Sequence, residues 1–296
     1  MDRRNFLIGL AGAGVAVVAQ GQGTRPPAAT SPQRKGRLKQ SLMRVNFGAD
    51  TKLTFDDMCR EAARMGFKGF DLIAPEDWPT LKKYGLTPSM AGAGPVTFQD
   101  GLIHKEVHAR IEQPLREAID VCAVGGCPNI ITVGGQRRGM ADAEAADNAV
   151  TFLNRIKGHA EDKGVTISLE NMNNMYTDPN FGREDQIFAH LKWGFDVVKR
   201  VDSPRVKVLF DIYHAQIMDG NVVATIRENF PWISHFHTAG VPGRTDIDST
   251  QEVNYRFIAQ TIADLGYTGY ICHEFRPAPG HNPLDCIREA FAIIDV

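Results

Sequence analysis

The sequence lacks an excess of charge of either sign, because its formal net charge at pH 7 is −2. Proteins whose main ligand is nucleic acid usually carry a strongly basic surface, so this balance argues against a nucleic-acid partner. The chain also lacks an apolar run of the roughly 20 residues that a membrane-spanning helix needs. With 43% hydrophobic and 23% charged residues it has the composition of a globular protein, and we expect a small molecule as its substrate.

Cysteine is scarce as well, and no two cysteines have the spacing of a zinc site or of a redox motif. Their odd number, and the helical or strand patterns around most of them, predict buried thiols rather than a disulfide framework. The five are Cys59, Cys122, Cys127, Cys272 and Cys286.

The N-terminus has the pattern of an export signal that is separate from the folded domain. Arg3 and Arg4 precede a short apolar stretch at 8–19, and a polar, proline-rich stretch follows at 20–39. Paired arginines before a short apolar run resemble a twin-arginine signal. We therefore expect the twin-arginine export machinery to carry this protein to the periplasm. An uncleaved membrane tether is the alternative interpretation.

The predicted domain organisation is simple. We interpret residues 1–39 as signal peptide and linker and residues 40–296 as one catalytic domain, because no second linker interrupts the rest of the chain. The mature form is expected to have no stable membrane span, and self-association into a homo-oligomer is compatible with this interpretation.

Short apolar runs alternate with segments of helical periodicity throughout residues 40–296. This alternation predicts a parallel sheet, and eight such units on a chain of this length predict a (β/α)8 TIM barrel of the α/β class. An open, doubly wound sheet is the alternative, but it would spread the later strand ends along a line. The predicted strands lie at 40–47, 68–73, 86–90, 129–133, 165–169, 206–210, 233–236 and 269–272.

The last four predicted strands each end in a side chain that can bind a metal. These side chains are, in chain order, Glu170, Asp211, His237 and Glu274. The C-terminal ends of barrel strands meet at one face, where the catalytic residues of such enzymes lie. Three carboxylates and one imidazole suit a hard or borderline divalent ion, so we predict a site for Mn²⁺, Mg²⁺ or Co²⁺.

The alternation of side chains along a strand predicts which histidines accompany this site. His235 is two residues before His237 and is expected one layer beneath it, whereas His273 is expected to point outward to the helices. His214, three residues after Asp211, and Arg244, in the loop after the seventh strand, are expected to contact substrate oxygens.

The second half of the chain resembles the hydroxypyruvate isomerases and, more broadly, the xylose isomerase-like superfamily of sugar isomerases and epimerases. The segment at 210–220 is the most specific part of the resemblance. The segments that carry it are 169–173 (LENMN), 210–220 (FDIYHAQIMDG), 235–244 (HFHTAGVPGR), 252–255 (EVNY), 266–269 (GYTG) and 273–277 (HEFRP).

The resemblance implies a metal-dependent isomerase of a small hydroxy-carbonyl compound, such as one that converts hydroxypyruvate to tartronate semialdehyde. The implied metal ligands are Glu170, Asp211, His237 and Glu274. The implied acid–base pair is Glu170 and Glu274, and the side chains implied to orient the substrate are His214 and Arg244. The chemistry of the residues agrees, because proton transfer between adjacent carbons through a cis-enediolate needs an acid–base pair and a cation beside two oxygens.

Three other functions stay open at this point. Hydroxypyruvate isomerases usually carry glutamine where this chain has His237, whereas ketose 3-epimerases carry histidine, so a 3-epimerase is one alternative. A barrel endonuclease acting on abasic DNA is a second, which the net charge disfavours. A sugar-binding barrel without turnover is a third, which the presence of both Glu170 and Glu274 disfavours.

Overall fold

The computed structural model describes residues 35–92, 94–175 and 185–296. The predicted export signal lies outside the described residues, but the last residues of the predicted linker belong to the folded unit. The backbone N–H groups of Lys35 and Gly36 donate to the Asp295 carboxylate at 3.0 and 2.7 Å, and Lys39 begins the first strand. The folded unit therefore starts a few residues before the predicted boundary.

Eight strands form one sheet in which all hydrogen-bonded neighbours are parallel. The strands are β1 (Lys39–Leu42), β2 (Gly69–Asp71), β3 (Thr87–Met90), β4 (Asn129–Thr132), β5 (Thr166–Glu170), β6 (Val206–Asp211), β7 (Ile233–Thr238) and β8 (Tyr270–His273).

The order of the strands confirms the predicted TIM barrel. They run β3-β2-β1-β8-β7-β6-β5-β4 along the sheet, so the first strand of the chain pairs with the last. An open doubly wound sheet does not have this order. At the remaining seam, between β3 and β4, the described residues form one isolated bridge, from Ala91 to Ile130, and the barrel is nearly closed.

The described residues form nine α-helices, most of which follow a strand and cover the sheet. None of these helices combines the length and apolar character that a membrane crossing requires. The helices are α1 (Phe55–Met65), α2 (Trp78–Lys83), α3 (Lys105–Gly125), α4 (Asp142–Lys163), α5 (Leu191–Val201), α6 (Ile212–Met218), α7 (Val222–Asn229), α8 (Tyr255–Asp264) and α9 (Pro283–Ile294).

Local sequence signals set the ends of these helices. At the start of α1 the Thr54 hydroxyl accepts from Asp57 N at 3.2 Å, and the Asp57 carboxylate accepts from Thr54 N at 3.0 Å. This reciprocal capping satisfies N–H groups that have no partner inside the helix. The helix ends at Gly66, whose φ of 103° lies in the left-handed region that glycine adopts without strain.

The predicted first strand, 40–47, is wrong in its second half. The strand ends at Leu42, and Arg44–Phe47 is a 3₁₀ turn. The cause is Asn46, whose side-chain oxygen accepts from Met43 N at 2.7 Å and whose amide nitrogen donates to the Phe275 carbonyl at 2.9 Å. These bonds stabilise a local turn in place of the strand ladder.

Two helical segments also differ from what the periodicity of the sequence indicates. The helical period extends over residues 186–201, but α5 begins only at Leu191, because residues 187–189 form a 3₁₀ turn in which Phe188 has non-helical angles. The short helix α6 was not predicted. It begins directly after β6, where the Asp211 carboxylate accepts from Tyr213 N at 2.8 Å and from His214 N at 3.3 Å. Hydrophobic periodicity does not reveal this strand-to-helix turn, because apolar residues flank Asp211 on both sides.

Candidate active site

The structure brings the four predicted strand-end side chains together. Glu170 is the last residue of β5 and Asp211 the last of β6, while His237 lies in β7 and Glu274 directly follows β8. One donor atom from each of the four lies within 4.8 Å of the donor atoms of the others. Because these strands are adjacent and parallel, their C-terminal ends form one face, as the sequence predicted.

His237 lies at the centre of this group. Its Nδ1 atom is 2.9 Å from Glu170 Oε1 and 2.8 Å from Glu274 Oε2. On the other side of the ring, Nε2 is 3.1 Å from Asp71 Oδ2. The imidazole is fully buried, so its orientation is determined by these three carboxylates.

Asp71 is the site residue that the sequence reasoning missed. It is the last residue of β2, and its carboxylate also contacts His235 Nε2 at 2.7 Å and accepts from Ser41 Oγ at 3.3 Å and from Ser89 Oγ. The predicted strand 68–73 extended past Asp71, which hid its position at a strand end. The signal that could have identified it is a single carboxylate inside an otherwise apolar predicted strand, whereas the four predicted side chains were identified at strand ends.

The two histidines of β7 and β8 with predicted orientations lie where they were expected. His235 is buried beneath His237, with the ring centroids 5.3 Å apart. The His273 ring contacts Gln40 Oε1 at 3.0 Å and Thr238 Oγ1 at 2.9 Å, away from the carboxylates of the site.

Asp211 and His214 are held by a network at the ends of β5 and β6. The Asn171 side chain donates to the Asp211 carbonyl at 3.0 Å and accepts from Asp211 N at 2.8 Å. The side-chain amide of Asn173 donates to His214 Nδ1 at 2.6 Å, which leaves the proton of the neutral ring on Nε2. That Nε2 is 3.3 Å from Asp211 Oδ2. His214 therefore faces the site from its rim.

Arg244 closes the group on the side of the β7 loop. Its Nη2 atom lies 2.6 Å from Glu274 Oε1 and 3.7 Å from Asp211 Oδ2, and its guanidinium carbon lies 5.5 Å from the centre of the Tyr213 ring. The backbone of Arg244 has a φ of 56°, and its carbonyl accepts from Arg276 N at 2.9 Å. The loops after β7 and β8 thus hold this guanidinium against the carboxylates.

The donor set fits a divalent cation. Among the described residues, Asp211 Oδ2 is a buried oxygen without a hydrogen bond, and Glu274 Oε2, which faces the same group of atoms, has His237 Nδ1 beside it at 2.8 Å. Buried carboxylate oxygens normally have a donor or a metal, because burying a charge without either is costly. With Glu170 and His237 they make a hard-to-borderline set that suits the ions predicted above.

The pKa values of the two glutamates are displaced in opposite directions. Burial raises the pKa of Glu170. Burial acts the same way on Glu274, but the positive charges of Arg244 and His237 outweigh it and hold the pKa of Glu274 well below its usual range. Carboxyl groups whose environments separate their pKa values are suited to act as an acid and a base.

Burial and the neighbouring charges also shift the pKa values of Asp211 and His237. Burial, followed by the charge of Glu274, raises the pKa of Asp211 to about 7. Burial opposes protonation of His237, yet Glu274 and the hydrogen bonds to Asp71 and Glu170 raise its pKa. The centre of the site is therefore a region that attracts positive charge.

A cavity of about 910 Å³ opens over these residues. Glu170, His237, Glu274 and Arg244 line one end of it, and apolar side chains of β4, of helices α2 and α3 and of the loops after β2 and β3 line the other. Both glutamates are thus accessible to a small molecule.

Comparison with known proteins agrees with this architecture. The profile of the xylose isomerase-like TIM barrel family matches residues 59–295. A 2-oxo-tetronate isomerase of Pectobacterium atrosepticum is 27% identical over 241 residues, which cover 77% of this chain and 88% of that protein. A Danio rerio protein, provisionally named hydroxypyruvate isomerase, is 32% identical over 162 residues, or 54% of this chain and 56% of that protein. The match thus spans little more than half the length of the Danio rerio protein.

A solved structure shows the same fold at lower sequence identity. The family 2 AP endonuclease of Brucella melitensis superposes with a TM-score of 0.73 at 22% identity, over 84% of this chain and 96% of that chain. A likeness at this identity concerns the fold and not the reaction. The strand order, the family profile that covers most of the chain and the relatives named as isomerases lead to one conclusion: the chain belongs to the xylose isomerase-like TIM barrel family.

Proposed function

We propose that this protein is a metal-dependent isomerase that interconverts a small hydroxy-aldehyde and the corresponding hydroxy-ketone through a cis-enediolate, as hydroxypyruvate isomerases do. The observation that supports it most directly is the pair of glutamates on either side of His237 Nδ1, at 2.9 and 2.8 Å, at one end of an open cavity. Both carboxylates can reach a substrate bound between them.

The positions of the two glutamates and the directions of their pKa shifts favour one order of proton transfer. Glu274, whose pKa is lowered, would accept the proton from the carbon next to the carbonyl. Burial raises the pKa of Glu170, so of the two glutamates it takes up a proton more readily, and it would deliver one to the neighbouring position. In the reverse direction the two groups exchange roles.

The other side chains bind and orient. Glu170, Asp211, His237 and Glu274 would hold the divalent ion, whose charge would stabilise the two adjacent oxygens of an enediolate. His214 presents its Nε2 proton at the rim of the site, and Arg244 presents a guanidinium with a buried Nε that has no hydrogen bond within the described chain. Both can donate to substrate oxygens.

A ketose 3-epimerase is the second candidate, and the residue that favours it is His237, which those epimerases share. Epimerisation needs the same parts but returns the proton to the opposite face of one carbon. Glu170 and Glu274 approach from different strands, and proton delivery from two sides is what an epimerase requires. The net charge of −2 and the acidic site disfavour the endonuclease alternative.

A substrate panel in D₂O tests the proposal. Protein freed of metal and reloaded with Mn²⁺, Mg²⁺ or Co²⁺ is incubated with compounds from hydroxypyruvate to hexuloses, and deuterium incorporation is followed by NMR. We expect exchange that depends on the added ion, with an aldehyde product for an isomerase and inversion at C3 for an epimerase. Absence of exchange with every compound and every ion would overturn both candidates.

A further inference from the structure

We propose that the substrate carries an apolar group of about the size of an aromatic ring, attached to the hydroxy-carbonyl head on which the glutamates act. The group would occupy the end of the cavity between the β3–β4 seam and helix α3, which we call the apolar chamber. This inference rests on the proposed function and names the substrate class of the same site.

The first observation is the size of the cavity. Its volume of about 910 Å³ lies near the upper end of the roughly 300–1,000 Å³ that is usual for pockets holding drug-sized ligands. Hydroxypyruvate and the four-carbon sugar acids are far smaller than such ligands. A substrate limited to three or four carbons would leave most of this space to water.

The second observation is the separation of polar and apolar lining. The charged side chains among the described lining residues come from β5, β7, β8 and the loops that follow them. The opposite end is lined mainly by apolar side chains of β4, α2 and α3 and of the loops after β2, β3 and β4. They include Leu72, Ile73, Trp78, Val121, Ile131 and Val133.

The third observation explains why this apolar space exists. The strands β3 and β4 meet at Ala91, whose N–H donates to the Asn129 carbonyl and whose carbonyl accepts from Ile131 N, both at 2.9 Å. The next contacts along β4 are made by the returning loop, where Leu102 N donates to the Val133 carbonyl at 3.2 Å. Between these points the described barrel wall is incomplete, so the cavity reaches Val121 on α3.

Two of the lining side chains are apolar and unusually exposed. Leu72 and Val121 each retain 44% of their accessible surface, although both line the cavity. Contact between water and such apolar surface is unfavourable, and an apolar group bound there would remove this surface from water. Burial of a side chain of aromatic size typically changes a binding constant by about tenfold or more.

A matched pair of substrates and a matched pair of variants test this inference. The substrates are dihydroxyacetone and its mono-benzyl ether, 1-benzyloxy-3-hydroxypropanone, which share the reacting hydroxymethyl ketone. The variants are Val121→Trp, which fills the chamber from α3, and Val124→Trp, which places the same ring on α3 at a side chain that is 91% exposed and lies outside the cavity lining.

The readout is deuterium exchange at the hydroxymethyl carbon, with the ion that supports the fastest exchange. We expect the wild-type kcat/KM to be at least about tenfold higher for the benzyl ether than for dihydroxyacetone. Val121→Trp should remove this preference, and Val124→Trp should keep it. Equal kcat/KM values in the wild type, or a preference that survives Val121→Trp, would overturn the inference.

A failure of the proposed function can be distinguished from a failure of the inference about the apolar chamber. If neither compound exchanges, binding of the benzyl ether is measured by saturation-transfer NMR on the same metal-loaded proteins. Binding to the wild type and to Val124→Trp that is lost in Val121→Trp would support the apolar chamber in a protein with another reaction. Binding that is absent, or equal in all three proteins, would refute the chamber.

Discussion

Asp71 Oδ2 lies 3.1 Å from His237 Nε2, on the opposite side of the ring from the site centre. A carboxylate can only accept a hydrogen bond, so this contact places a ring proton on Nε2, and the contacts to Glu170 and Glu274 likewise place one on Nδ1. If a metal replaced the proton on Nδ1, the bond from Nε2 to Asp71 would keep the ring in the tautomer whose Nδ1 lone pair faces the site. Carboxylates that orient a ligating histidine in this way are a regular feature of metal sites.

The first prediction follows from this contact. In Asp71→Asn the side-chain amide can donate to Nε2 and thereby favour the wrong ring tautomer of His237. We expect metal affinity to fall by about 10- to 100-fold, measured by titration with a competing chelator. Ser89→Ala is the control, because Ser89 contacts Asp71 without touching His237. Unchanged affinity in Asp71→Asn would show that the orientation of the ring does not depend on this carboxylate.

A second prediction separates the two oxygens of Asp211. Oδ1 caps helix α6, and Oδ2 faces the site. Asp211→Asn keeps an oxygen for the cap but removes the charge, so we expect reduced metal content by elemental analysis with little loss of stability. Asp211→Ala should lose metal and also about 1 kcal/mol of stability, because the cap is gone. Full metal content in both variants would exclude Asp211 as a ligand.

The third prediction concerns the acid–base pair. Glu274→Gln keeps the shape of the side chain but removes the group that accepts the proton. With metal in excess, we expect solvent-deuterium exchange of an accepted substrate to slow by at least about a hundredfold. Glu170→Gln should behave alike, and the double variant should be little slower than either, because the two groups serve one proton path. Exchange at the wild-type rate in Glu274→Gln would place the base elsewhere.

The fourth prediction concerns stability and pH. Burial lowers the pKa of His273 to about 3, so the folded protein keeps this ring neutral while the unfolded chain binds a proton below pH about 6.5. The unfolded state therefore binds more protons between these values, and the free energy of unfolding contributed by His273 falls as pH falls through this window. One proton corresponds to about 1.4 kcal/mol per pH unit.

Urea unfolding at several pH values between about 4 and 6, inside this window, tests the sign. The free energy of unfolding of His273→Gln should depend on pH less steeply than that of the wild type, by up to about 1.4 kcal/mol per pH unit. The amide introduced by this substitution keeps a neutral polar group between Gln40 and Thr238, so the variant is expected to fold. Parallel pH profiles would contradict a neutral, buried His273.

The sequence by itself determined the barrel and the four members of the site at the ends of the last four strands. Alternating apolar runs and helical periods allow few folds, and parallel strands deliver their last residues to one face whatever the details of the loops. The sequence therefore predicted that the ends of β5 to β8 form one group. The structure places Glu170, Asp211, His237 and Glu274 together.

Local sequence patterns were less informative where a side chain replaced the backbone as a hydrogen-bond partner. Asn46 stops the first strand, and Asp211 starts α6 within an apolar run. In both cases the competing bond is made by a polar side chain to a nearby backbone N–H, which hydrophobic periodicity does not register.

Only the tertiary structure decided what surrounds the site. Asp71 and His237 are distant in the chain, and their contact depends on the curvature that brings β2 opposite β7. The seam at Ala91 and the apolar chamber beside α3 likewise depend on how far two strands diverge. Distances across a barrel arise from the packing of all its strands, so no short stretch of sequence encodes them.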